Sequence, residues 1–327
     1  MHFLHPFAFA LLLASTAVAC SGKQPVPART STPPASGQAL PAMTVPAFNE
    51  ARAFEYLTRQ TAFGPRHPNS GGHRECLQYL QSTLQQSADE VRLQPFTHAG
   101  YNGQTLKLTN VIASFKPHVK ERVLLCAHWD TRPRADQDGN PARRDEPILG
   151  ANDGASGVAV LLEIAALLKQ TPPPIGVDLV LFDGEDYGME GDHANYLLGS
   201  RHFARTKGSD YLPRFAILLD MIGDRYLEIP REGYSRRYAP DVVRLVWDKA
   251  RFLGIAQFVD EDGEDVMDDH LPLNESGIRA IDIIDFNYPD PTNRYWHTHE
   301  DTPDKCSPES LGAVGTVLMH VLFDQKP

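Results

Sequence analysis

Cysteine is scarce in this chain, with 4 in 327 residues, and none lies at the spacing of a thiolate zinc site. A disulfide scaffold and a zinc-finger module are thereby excluded. With Cys20 set aside, Cys76, Cys126 and Cys306 remain, an odd number that permits one bridge at most. Cys126 lies inside an apolar run and reads as a plain core residue. Positive charge is short as well: 31 Lys and Arg face 42 Asp and Glu, a net charge of −11. Such a balance argues against nucleic acid or an anionic membrane surface as the main partner, because both repel an acidic protein. No internal repeat is apparent, so a solenoid is excluded. No apolar run reaches the ~20 residues that a membrane-crossing helix needs.

The longest such candidate, Phe7–Leu13, lies within the opening segment MHFLHPFAFALLLASTAVAC. An apolar run followed by small residues is a signal-peptide pattern, and residues 1–19 are assigned to it. Its start carries His2 and His5 but no Lys or Arg. Ala17-Val18-Ala19 fits a cleavage site, and Cys20 directly after it resembles a bacterial lipobox. Both routes cut after Ala19; a lipid anchor on Cys20 is the favoured one, since it explains a cysteine at that position. The expectation is an exported chain facing the periplasm, touching membrane only through that anchor. Residues 20–46 are rich in Pro, Ser, Thr and Ala without apolar period, and read as a disordered tether. Residues 47–327 are left for one folded domain, a length that suits a single large core.

Within it, Ser70 is placed to cap a helix running to about residue 86, with Leu77, Leu80 and Leu84 on one face. Further helices are expected over 50–60, 154–169, 194–206 and 239–253, and over a last segment carrying Leu311, Val314, Leu318 and Val321. Strand-like runs occur at Val91–Phe96, Leu106–Phe115, Val123–Ala127, Val177–Phe182, Phe215–Leu219 and Ala280–Asp285. The third, fourth and fifth are apolar throughout or nearly so, as strands buried on both faces should be. Strands alternating with helices predict an α/β fold: a mixed, mostly parallel central sheet covered by helices on both sides. Such sheets carry their sites at the carboxyl ends of the strands.

Four of these runs close on chemistry. VLLCA ends at His128, with Trp129 and Asp130 after it, and VDLVLF ends in Asp183-Gly184-Glu185-Asp186. FAILL ends in Asp220, and AIDIID leads through a Pro-rich loop to Trp296-His297-Thr298. A fifth group, Gly150-Ala151-Asn152-Asp153-Gly154, precedes a helix. One charged residue after a strand is only the first solvated position. Imidazoles and carboxylates on successive connections are the donor set that a catalytic zinc accepts while keeping a position open.

These residues resemble the co-catalytic zinc aminopeptidase superfamily, and within it the glutaminyl cyclase branch. The resemblance spans about residues 48–327 and rests on AHWD, GANDGASG, GEDYG, LLGSRHFA, LLDMIG, DDHLP and WHT, in that order. Two features point to the cyclases: thirteen positions separate Asp186 from Gly199, and Trp296 precedes the last histidine where peptidases commonly have Tyr. The resemblance implies a zinc-aminopeptidase-like fold (phosphorylase/hydrolase-like) with Asp153, Asp186 and His297 as ligands of one zinc. It further implies that His128 and Asp220 match the extra ligands of a second zinc in the peptidases, and that Asp130 orients the His128 imidazole. Animal cyclases usually have Glu where this chain has Asp186. Glu185 is expected as the general acid/base, with Asp220 and Asp268 binding the reacting nitrogens and Trp296 walling the substrate pocket. Asp269 is left aside as a possible helix cap, His270 is read as structural, and His193, His202 and His299 are given no role.

The activity so implied is conversion of an N-terminal glutamine of peptides or proteins into pyroglutamate with release of ammonia. The alternative is a two-zinc aminopeptidase using the same ligands. A third reading, an inactive binding domain, is disfavoured because every ligand position is filled.

Overall fold

The apolar runs that close on charged residues form the middle of one sheet. The computed structural model describes residues 44–326 together with Gly22, so the expected signal peptide, cleavage site, Cys20 anchor and most of the tether lie outside the described residues. The main sheet comprises β1 (Glu90–Ala99), β2 (Thr105–Phe115), β3 (Arg122–His128), β4 (Gly176–Phe182), β5 (Ala216–Asp220) and β8 (Ala280–Ile284). Its order is β1-β2-β4-β3-β5-β8. β2 pairs antiparallel with both β1 and β4, and β4, β3, β5 and β8 are parallel, so the sheet is mixed as expected. The four parallel strands are those whose runs end in His128, the Asp183–Asp186 turn, Asp220 and the loop to His297. Being neighbours, they bring those ends to one edge.

Alternation along the central strands assigns each side chain to a face. Leu125, Leu179 and Ile217 face one layer, while Leu124, Cys126, Val180 and Leu218 face the other. The first layer is built from α1 (Glu50–Thr61), α2 (Gly71–Gln85), α3 (Ser156–Gln170), α6 (Pro240–Leu253) and α8 (Pro308–Phe323). The second contains α4 (Leu198–Thr206) and α7 (His270–Glu275). Helix starts follow local chemistry: Ser70 accepts from His73 N at 3.0 Å, and Ser307 accepts from Ser310 N at 3.1 Å just before Pro308. α3 is buried along nearly its whole length, as a helix packed between the sheet, α1 and α8 must be. Cys76, Cys126 and Cys306 are all free and buried, so the one permitted bridge is not made.

The structure departs from the expectations in three places. The helix expected over 194–206 begins only at Leu198. Before it, Leu197 takes a left-handed φ of 59°, because its N–H and that of Leu198 are tied to the carbonyls of Glu185 and Gly184 at 2.9 and 3.1 Å. A two-stranded sheet of β6 (Ile229–Arg231) and β7 (Phe258–Asp262) went unrecognised, since β6 is three residues long and contains Pro230. The six-residue α5 (Gly233–Tyr238) and α7 are too short to show a helical period.

Candidate active site

Backbone geometry aims the polar strand ends inward. At the start of α3, Gly154 has φ +102°, and a Cβ there would lie 2.3 Å from the Asp130 carbonyl oxygen, so only glycine lets Asp153 approach β3 this closely. After β4, Gly184 at φ +73° turns the chain so that Glu185 and Asp186 point into the edge. Asp130 accepts from the Glu185 N–H at 3.0 Å and from the Asp186 N–H at 3.4 Å, locking that turn. His297 itself has φ +56°, a strained value for a residue with a Cβ, of the kind that persists where function requires it.

The resulting side chains form two triplets with donor atoms within 4.8 Å of one another: His128, Asp153 and Asp220, and Asp153, Asp186 and His297. Asp153 belongs to both. Its Oδ1 lies 3.2 Å from His128 Nε2, and its Oδ2 lies 3.6 Å from His297 Nε2. His297 Nε2 is also 3.4 Å from Asp186 Oδ1, and His128 Nε2 is 3.1 Å from Asp220 Oδ1. Donors bound at ~2.0–2.1 Å around a tetrahedral zinc stand roughly 3.4 Å apart, so these separations fit a shared ion.

The electrostatics fit it too. Burial, then the neighbouring Asp153, pushes the Asp186 carboxyl well above the ordinary range, with Arg132 opposing. Asp186 Oδ2 is buried and has no hydrogen-bond partner. Burial and the cations around it drive His297 well below its usual value, so the imidazole is neutral, as a metal ligand must be. A divalent cation among these three would relieve the crowding of the carboxyls.

A cavity of ≈ 360 Å³ opens onto this centre, lined among others by Asp153, Glu185, Asp186, Asp220, Trp296 and His297. Trp296 stacks on His297 with ring centroids 3.7 Å apart and meets Phe286 edge-on at 5.2 Å. Glu185 is 9% exposed, and burial, with Asp186, Asp268 and Asp269 nearby, raises its carboxyl well above the ordinary value. Asp268 and Asp220 are raised as well, first by burial. The cavity thus joins a candidate ion site, a buried carboxyl whose hold on a proton is strengthened, and an aromatic wall.

Every residue expected at the site is found around this one edge. For Asp130 the geometry shows a different contact: its Oδ1 is 3.6 Å from His128 Nδ1, too far for a good hydrogen bond, and that nitrogen has no partner. What Asp130 holds is the backbone of Glu185 and Asp186. Asp269, left aside as a possible cap, starts α7 without capping it; it is fully buried and accepts a short hydrogen bond from Ser200 Oγ. His193, given no role, lines the cavity. His202 stacks on Phe96 and His299 bonds Asp138 at 2.7 Å, and neither belongs to a ligand triplet. His270 is buried, 3.3 Å from Glu232. Sequence reasoning passed over Arg132, which touches Asp186, and Asp282, a buried carboxyl facing Asp268; the available signals were a charged run after AHWD and one acid inside AIDII.

The model of peptidase family M28 matches residues 110–322. A glutaminyl cyclase of Bacteroides thetaiotaomicron, solved with N-acetylhistamine, is 40% identical with a TM-score of 0.83, covering 86% of this chain and 100% of its own. A leucine aminopeptidase precursor from the same organism is 41% identical with a TM-score of 0.82, over 86% of this chain and 99% of its own. The mouse glutaminyl-peptide cyclotransferase-like protein is 27% identical across 77% of this chain and 70% of its own length.

Proposed function

The chain belongs to peptidase family M28, and from that membership and the geometry of its cavity we propose that it is a zinc-dependent glutaminyl-peptide cyclotransferase. Its substrates are peptides or proteins with an N-terminal glutamine, which it converts to pyroglutamate with release of ammonia. The observation that carries this reading is the cavity itself: Glu185, the Asp153–Asp186–His297 triplet and the Trp296 indole all face one small space.

The α-amine attacks its own side-chain amide, so a bond from the α-nitrogen to Cδ forms, the Cδ–Nε bond breaks, and no water is consumed. Asp153, Asp186 and His297 would hold one zinc, which would supply Lewis-acid polarisation of the amide carbonyl. Glu185 takes the proton that the α-nitrogen loses and delivers it to the departing ammonia. Burial raises its carboxyl well above the ordinary value, which strengthens its hold on the proton it takes and must then return. Asp220 and Asp268 accept hydrogen bonds from the two nitrogens. Trp296 covers the side chain and holds it curled against the amine; in the best intramolecular cases that proximity is worth up to ~7–11 kcal/mol. A tight wall therefore contributes more than base strength alone, which is worth roughly 10²–10⁴-fold.

A two-zinc aminopeptidase is the second reading, favoured by the His128–Asp153–Asp220 triplet. Incubation with a Gln-initiated dipeptide and a Leu-initiated one separates the two. Ammonia from the first, without free amino acid from the second, supports the cyclase, and the reverse result overturns it. Within the same proposal the chain is exported to the periplasm and anchored through Cys20, a reading that the pattern of residues 1–20 supports and that the mass of the mature N-terminal peptide tests.

A further inference from the structure

Arg132 is 1% exposed, and its guanidinium is spent on three partners from separate parts of the site. Nη1 donates to Asp186 Oδ1 at 2.6 Å and to the Asp186 carbonyl at 3.3 Å. Nε and Nη2 grip Asp136 as a fork, at 2.8 and 2.5 Å. Nη2 also donates to the Tyr196 hydroxyl at 3.0 Å, with the guanidinium carbon 5.5 Å from the Tyr196 ring. Each partner has a second attachment. Asp186 belongs to the candidate ligand triplet, and its other oxygen, Oδ2, is the buried one left without a partner. Asp136 Oδ1 stands 3.7 Å from His297 Nδ1, on the far side of the imidazole from Asp153 and Asp186. The adjoining loops are stitched together, Gln137 N donating to the His297 carbonyl at 3.3 Å. Tyr196 belongs to the segment between the Glu185-Asp186 turn and α4, and it lines the cavity.

We infer that Arg132 is a positioning residue that couples the lip of the substrate cavity to the metal carboxylate: the contact to Tyr196 fixes the guanidinium, which holds the Asp186 carboxylate in place beside His297 and holds Asp136 behind that imidazole. This inference rests on the proposal that zinc binds at Asp153, Asp186 and His297. The planar fork is what the arrangement needs, because a single ammonium cannot span three acceptors at fixed angles. Charge and geometry here predict opposite signs. A cation beside a cation site repels the ion, so if Arg132 acted by charge alone its removal would tighten zinc binding. If it acts by orientation, its removal loosens zinc, in the range of ~10–100-fold seen when groups orienting a ligand are lost.

The test uses the full chain. Zinc affinity is read by competition with a chromogenic chelator, and turnover by ammonia release from a Gln-initiated dipeptide. Arg132→Gln and Arg132→Lys are both expected to raise the zinc dissociation constant tenfold or more, lysine giving no rescue. Tighter zinc in Arg132→Gln, or restoration by lysine, overturns the inference. Tyr196→Phe removes one hydroxyl while keeping the ring, and guards against an Arg132 variant that fails to fold. It is expected to raise both the zinc dissociation constant and KM severalfold, although Tyr196 belongs to neither ligand triplet. An unchanged zinc dissociation constant in Tyr196→Phe overturns the coupling. Wild-type protein that takes up no zinc overturns the metal proposal and this inference with it, whereas zinc-binding, active wild type with unaffected variants overturns the inference alone.

Discussion

Replacing Glu185 by glutamine isolates the proposed proton carrier with little change of shape. The side chain is 9% exposed and belongs to neither ligand triplet, its closest basic neighbour being His128 Nδ1 at 4.0 Å from Oε2. An amide fills the same space and still accepts through one oxygen, so substrate and zinc keep their seats. What is lost is the ability to take a proton and return it. A positioned acid/base is worth roughly 10²–10⁴-fold, or about 3–5 kcal/mol of barrier at about 1.4 kcal/mol per tenfold. Because the transfer occurs only along the reaction path, kcat and kcat/KM should fall together while KM stays within a fewfold of wild type. The assay is coupled ammonia release, run beside a zinc determination on the same preparation. Two results refute the reasoning. Activity within tenfold of wild type means that Glu185 carries no essential proton, and loss of zinc means that it is a ligand.

Two further predictions rest on separate parts of the structure. Trp296→Leu removes the indole stacked on His297, and kcat/KM for the Gln-initiated dipeptide should fall by about 1–3 kcal/mol, mostly through KM; an unchanged KM shows that the wall does not touch substrate. Asp285 is held at a pKa of about 7 by burial, against 3.8 for the free group, and accepts from the N–H groups of Glu228 and Asn287. A raised folded value means that its stabilising contribution is complete below about pH 4 and is lost as pH climbs through 7, for a total near ~4 kcal/mol at about 1.4 kcal/mol per unit. Asp285→Asn should therefore flatten the pH dependence of urea-unfolding stability between pH 4 and 7, and a slope identical to wild type would count against the burial argument.

The carboxyl-end site was legible because the strands that build it are buried on both faces and the turns are not. Along VLLCA, VDLVLF and FAILL the only departures from apolar character come from Asp178 and the strand ends, so His128, Asp183–Asp186 and Asp220 stood out without a structure. Asp153 and His297 were found through their glycine- and tryptophan-flanked motifs. The contacts of Arg132 were not legible. They join it to Asp186 and Tyr196, 54 and 64 positions away, and no periodicity encodes which side chain a buried guanidinium will meet. The β6–β7 pair failed for a different reason: its strands are three and five residues long, half-exposed, and carry too few apolar positions to show alternation.

Because Asp153 turns one oxygen to each imidazole, the two triplets can be taken apart by substitution, and doing so decides how many ions the chemistry uses. His297→Ala destroys the Asp153–Asp186–His297 set and leaves His128, Asp153 and Asp220 intact, while His128→Ala does the converse. If one zinc at the first set serves a cyclase, His297→Ala should lose both zinc and ammonia release, and His128→Ala should keep its zinc. Thermal unfolding gives an independent readout, since zinc at 100 times its dissociation constant adds about 2.7 kcal/mol to the folded state. That increment should vanish in His297→Ala and survive in His128→Ala. Should each variant instead retain one zinc of an original two, and each lose release of leucine from a Leu-initiated peptide, the shared oxygen pair of Asp153 is a bridge between two ions. The protein would then be an aminopeptidase that happens to carry a cyclase-like wall.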